Sequence, residues 1–153
     1  MHKTLYAAAV FACLALTLSN SSAQTAPSFP QIVAKGKLLN QTATIPTTTI
    51  YTTTQTGLYS LSVYGTVIVA DPNSQSEWVF NLQWTDDSGT VNSASPLYGT
   101  DNTAGSFSNF IWKWGDAMPI EVKAGTPITF TVSQSGPIDK SAYSLYYALE
   151  RLE

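Results

Sequence analysis

From about residue 32 onward, apolar side chains recur at every second position in short runs broken by Gly, Pro, Asn and Asp. That is the spacing of strands that bury one face, and helical spacing is nearly absent. The clearest run is residues 58–69, where Tyr59, Leu61, Val63, Val67 and Val69 alternate with Ser60, Ser62, Tyr64 and Thr66. Residues 77–86 set Trp78, Phe80, Leu82 and Trp84 against Asn81, Gln83 and Thr85, and they stop at Asp86-Asp87-Ser88-Gly89. That tetrapeptide is a turn signal and predicts a hairpin into Thr90-Val91. Further strands are predicted over 107–114, 119–123 and 127–133, with Ala124-Gly125-Thr126 as the turn between the last two. Residues 142–152 alternate Tyr143, Leu145, Tyr147 and Leu149 and are predicted as a strand, since a lone short helix is marginal beside an all-β pattern. The expected fold is an all-β antiparallel sandwich of jelly-roll type.

The segment before this pattern has a different character. Residues 1–23 carry His2 and Lys3, then an apolar run over 5–18, then the small residues Ser21-Ser22-Ala23, which together read as a secretion signal. The apolar run is 14 residues long, short of the roughly 20 that a membrane-spanning helix needs. The domain organisation expected is therefore a signal over 1–23, a Pro-containing linker over 24–31 and one sandwich domain over 32–153. The expected location is outside the cytoplasm, extracellular or periplasmic, with no membrane span once the signal is cut.

Removing the signal would also remove His2 and Cys13, the one histidine and the one cysteine. A mature chain without imidazole or thiol has no Ser-His-Asp or Cys-His catalysis, none of the usual zinc sites and no disulfides. It must be held by its core. Charged residues make up 11% of the chain against 44% hydrophobic, net charge is −3, and no Lys/Arg cluster suggests nucleic acid. The ten carboxylates fall mostly at predicted turns, where Asp bonds nearby backbone N–H groups, and no pair stands out for glycoside cleavage. Residues 71–77 space side-chain oxygens as a calcium loop begins but lack its glycine and later bidentate Glu, and Asp86-Asp87 with Asp101 is another possible cluster; both read as turns. No catalytic residue, cofactor or metal is expected.

Residues 42–56 hold nine threonines in 15 positions, which predicts edge strand and loop, because the Thr-Thr-Thr repeats at 47–49 and 52–54 do not continue as an ice-binding solenoid requires. Within it, Tyr51-Thr52-Thr53-Thr54-Gln55-Thr56-Gly57-Leu58-Tyr59-Ser60-Leu61 resembles the signature of the globular complement head domains, in the tumour-necrosis-factor-like jelly-roll superfamily. Tyr51, Gly57 and Tyr59 stand where that family has an aromatic residue six before a Gly and then Gly-x-Tyr. Thr54 replaces its usual Pro, Leu61 its Phe, and Ser144-Leu145-Tyr146-Tyr147 lacks its late Gly between aromatics. The resemblance implies a ten-strand sandwich, assembly as a homotrimer and ligand recognition by surface loops without catalysis. The family's collagen stalk has no counterpart, because no Gly-x-y repeat precedes the domain.

The chain has four Trp, eight Tyr and six Phe. Trp112 and Trp114 share one strand face across Lys113 and are the candidate carbohydrate platform, although Phe110 beside them also suits core or interface. Tyr64, Ile68 and Tyr146 lie opposite the inward sets of their strands. Large apolar residues on both faces imply a second covered surface, so these three are the candidate oligomer interface. The function expected is a secreted non-enzymatic interaction or structural module, self-associating as a homotrimer, with a carbohydrate-binding module as the alternative. A protein or a carbohydrate is the ligand class expected, and nucleic acid is not.

Overall fold

The computed structural model describes residues 28–70, 76–101, 111–113, 117–136 and 141–153. The segment expected to be a secretion signal, most of the expected linker, the 71–75 stretch and Trp114 lie outside the described residues, as do residues 107–110 of the third predicted strand.

Nine strands are found among the described residues: β1 (Gln31–Gln41), β2 (Ile45–Thr52), β3 (Gly57–Val69), β4 (Ser76–Thr85), β5 (Val91–Asp101), β6 (Ile111–Lys113), β7 (Met118–Val122), β8 (Pro127–Ser135) and β9 (Ala142–Arg151). They form two antiparallel sheets. One runs β1-β9-β3-β6 with β7 also on β3, and the other runs β2-β8-β4-β5. β6 and β7 take successive stretches of the same partner, β6 along Tyr64–Thr66 and β7 along Gly57–Leu61. The pairs β1·β9, β2·β8, β3·β7 and β4·β5 therefore nest one inside the next, as in a long hairpin rolled into a sandwich. The sandwich is the one expected from the alternation, and the nesting gives it jelly-roll topology.

The period of two puts one set of side chains between the sheets. Trp78, Phe80, Leu82, Tyr59, Leu61, Ile128, Phe130, Tyr143, Leu145 and Leu149 are buried there. Phe80 stacks on Phe130 with ring centroids 4.9 Å apart, and Tyr147 reaches Phe130 from the opposite sheet at 5.7 Å. Trp84, next in the inward set, is only half-buried near the strand end. The C-terminal stretch is the predicted strand.

Local chemistry fixes the turns. The Asp86–Gly89 hairpin forms as read: Gly89 has φ +89°, its N–H donates to the Asp86 carbonyl at 3.0 Å, and the Asp86 carboxylate accepts from Thr90 N at 2.9 Å and Asn92 Nδ2 at 2.8 Å. Gly125 turns the chain between β7 and β8 with φ +76°. In the threonine run, β2 is an edge strand as predicted, and Thr53 is buried behind it. Thr53 Oγ1 donates to the Lys123 carbonyl at 2.6 Å, its N–H donates to Thr126 O at 3.1 Å and its carbonyl accepts from Gly125 N at 2.8 Å. The Thr53 backbone and side chain thus clamp the turn that carries the chain from β7 in one sheet to β8 in the other.

Candidate functional site

Tyr51, Gly57 and Tyr59, the residues of the family-like motif, are structural. Tyr59 is buried, its hydroxyl donates to Gln55 O at 3.0 Å, and its ring lies 6.3 Å from that of Tyr51. Gly57 lies against the chain end, where a Cβ would come 3.3 Å from the Glu153 carbonyl.

The surface that departs from an ordinary polar exterior is the outer face of the β1-β9-β3-β6 sheet. Tyr64 on β3 pairs directly with Tyr146 on β9, and their rings stack 4.6 Å apart at 9°. Tyr64 is 46% exposed, with Ile68 at 41% and Val69 at 49% farther along the same strand. Two of the three predicted interface residues are thus in contact, and Ile68 lies on the same face about 13 Å along β3 at the usual strand rise. The register extends the row on both sides, since Lys37 of β1 pairs with Tyr146 and Lys113 of β6 pairs with Tyr64. Four strands thus carry Lys, Tyr, Tyr and Lys in line.

Beside this row, between β1 and β9, is an open depression of about 440 Å³ lined by Lys35, Gly36, Lys37, Tyr146, Tyr147 and Ala148. Lys35 pairs with Ala148 and Lys37 with Tyr146, so these four residues rim it, and Gly36 and Tyr147 form its floor. Both lysines are exposed, and among the described residues neither has an ion-pair partner. The carboxylate of this part of the face, Glu150, is in register with Ile32.

Trp112 pairs with Gly65, the register of the set that alternates with Tyr64 and Thr66; its side chain, like all of Trp114, lies outside the described residues. Of the calcium-like groupings, residues 71–75 and the Asp101 side chain also lie outside. Asp86 is engaged in its own turn, where hydrogen bonds from Ser88, Asn92 and the Thr90 backbone hold its carboxyl below the ordinary aspartate value. No group of three metal-ligating side chains occurs among the described residues. A separate acidic corner is formed by Asp87, Glu121 and Glu153: burial raises the Glu121 carboxyl, and repulsion from Asp87 and then Glu153 adds to it.

The outer face of the other sheet is mostly uncharged and hydrogen-bonding, with Thr49, Thr129, Gln83 and Ser93 in register across its four strands and Glu77 at one end accepting from Ser135. Asn81 is saturated there by Ser95, which donates to it at 2.8 Å, and by Ser133, which accepts from it at 3.3 Å. This is the solvated side expected of an antiparallel sandwich.

No family model matches the chain, and no curated protein matches it. Among solved structures it is similar to a chain of the "Structure of infectious bursal disease virus Gt strain", at 8% identity and a TM-score of 0.40, over 81% of this chain and 33% of that chain, so it spans about a third of that chain's length.

Proposed function

We propose that the chain is a secreted, non-enzymatic interaction or structural module that self-associates through the outer face of the β1-β9-β3-β6 sheet as a homotrimer. The observation that carries this reading is the Tyr64–Tyr146 stack standing on an outer face, with Ile68 exposed on the same strand. Apolar surface left in water costs about 25 cal/mol per Å², and a neighbouring copy removes that cost. The lysine positions bear on symmetry. A twofold contact centred on the Tyr pair would bring the Lys37 and Lys113 positions of one copy against those of the other. A heterologous contact instead sets this face against a different surface of the neighbour, such as the acidic corner of Asp87, Glu121 and Glu153, and such a contact generates a ring where its rotation closes. Three is the ring size implied by the likeness to the complement head domains. Secretion rests on the pattern of residues 1–23.

Size-exclusion chromatography with light scattering on the secreted chain tests this. The mass expected at tens of micromolar is that of three chains, falling to one in the Tyr64→Ser/Ile68→Ser variant. A monomeric wild-type chain overturns the reading.

A carbohydrate-binding module is the second reading, favoured by a different observation: the depression beside Tyr146 has an aromatic wall and lies on the β1 side of the face, whereas Ile68 lies on β3. The Trp112 and Trp114 side chains, the platform expected from the sequence, lie outside the described residues.

A further inference from the structure

We propose that the depression between β1 and β9 binds an acidic sugar residue of a polysaccharide, its ring on Tyr146 and its carboxylate between Lys35 and Lys37; this rests on the carbohydrate-binding reading and names the sugar class.

The wall comes first. Tyr64 occupies one side of the Tyr146 ring, the β3 side, at 4.6 Å. β9 lies between β3 and β1, so the other side of that ring is the one that lines the depression. Stacking holds the ring upright and presents its second face to whatever enters. An aromatic face carries negative charge density and attracts the weakly positive C–H bonds of a sugar ring.

The rim supplies the charge. Residues two apart on a strand project to the same face about 6.6 Å apart, so Lys35 and Lys37 place two ammonium groups on the same side of the depression. A ligand of formal charge −1 lying between them can accept from both. In a chain of net charge −3 and seven cationic residues, two such groups on one strand without an ion-pair partner among the described residues form a local positive site. A neutral sugar would leave that charge unused. The depression is open beside the ring because Ala148, on the rim across from Lys35, carries only a methyl, so a sugar ring can settle beside Tyr146 rather than above it. The volume of about 440 Å³ falls within the range of small-ligand sites. Lysines on an edge strand also discourage sheet-to-sheet pairing, a role that needs neither the Tyr146 ring nor a particular anion. The test separates the two.

The probes are trigalacturonate, the neutral cellotriose and inorganic sulfate, titrated calorimetrically into the full secreted chain. Saturable binding of trigalacturonate is expected, weakened about tenfold or more by Lys35→Gln/Lys37→Gln and by Tyr146→Ala and retained by Tyr146→Phe, with circular dichroism confirming that each variant is folded. Sulfate and cellotriose should bind far more weakly. Equal binding of cellotriose overturns the acidic-sugar claim while leaving the carbohydrate reading standing, and absence of binding to either oligosaccharide overturns both. Binding of sulfate as tight as trigalacturonate, or indifference to Tyr146→Ala, also overturns the claim, since charge alone then accounts for it. Light scattering on the Ile68→Ser variant keeps self-association separate: a monomer that still binds trigalacturonate supports the site.

Discussion

Tyr147 lies across Gly36 of the neighbouring strand so closely that a Cβ at position 36 would come within 2.3 Å of the ring's Cζ and hydroxyl oxygen. The ring cannot simply swing away, because it packs against Phe130 on its other side. Gly36→Ala should therefore destabilise the fold by about 1–3 kcal/mol, the usual cost of overpacking, read as a lower midpoint in urea with an unchanged slope. An unaltered midpoint would show that Tyr147 is free to move.

Thr53→Val keeps the shape of the side chain and removes its hydroxyl. The Lys123 carbonyl loses its 2.6 Å donor while keeping Thr126 Oγ1 at 2.7 Å, and the turn at Ala124–Thr126 loses a clamp. A loss of about 0.5–1.5 kcal/mol in chemical denaturation is expected, while Thr54→Val on the exposed neighbour should change little.

Tyr143 sets the alkaline limit. Its hydroxyl donates to the Ala43 carbonyl at 2.9 Å, and burial holds the phenol above its ordinary value of 10.0. The unfolded chain then loses this proton before the folded one does. Its contribution to stability is complete below about pH 10 and declines as pH rises beyond that. Tyr143→Phe should cost about 1 kcal/mol at neutral pH through the lost hydrogen bond, and its stability should fall less steeply above pH 10 than that of the wild type.

Asp86 acts on the acid side with the opposite sign. Its folded-state carboxyl lies below the ordinary value of 3.8, so the contribution is present above that pH and is lost as pH falls through the lower folded value. Asp86→Asn should lower the thermal midpoint at pH 7 and reduce the steepness of the acid limb. Equal acid limbs in the two proteins would show that the turn is indifferent to this charge.

The parts legible in the sequence are those where period two is unbroken. Tyr59, Leu61, Val63 and Val67 alternate with polar neighbours because β3 lies in the middle of its sheet, and Trp78, Phe80 and Leu82 do so for the same reason in β4. β1 is poorly legible as a strand. It is an edge with register shifts between Ile32/Ala34 and Leu38/Gln41, Asn40 has φ +53°, and Lys35-Gly36-Lys37 has the composition of a loop. β5 is legible only at its start, since Pro96 interrupts the pattern near the register shift opposite Phe80/Leu82. Tyr64 and Tyr146 were each identifiable as outward by alternation within their own strands. That they stack, and that Lys35 and Lys37 stand beside them, depends on a register between strands distant in sequence, which local patterning does not encode.

The nesting of the strand pairs governs the order in which this chain can fold. Of the nested pairs, only β4·β5 joins strands adjacent in sequence through a tight turn, the Asp86–Gly89 hairpin; the outermost, β1·β9, joins the first described strand to the last. Each pairing outside the central hairpin must close a longer loop before any contact rewards it, so folding should be slow for the chain's size and should proceed from the middle outward. The depression between β1 and β9 would then be the last surface to form. Ligand bound there would act mainly as a brake on unfolding, holding closed the pair of strands whose parting comes first.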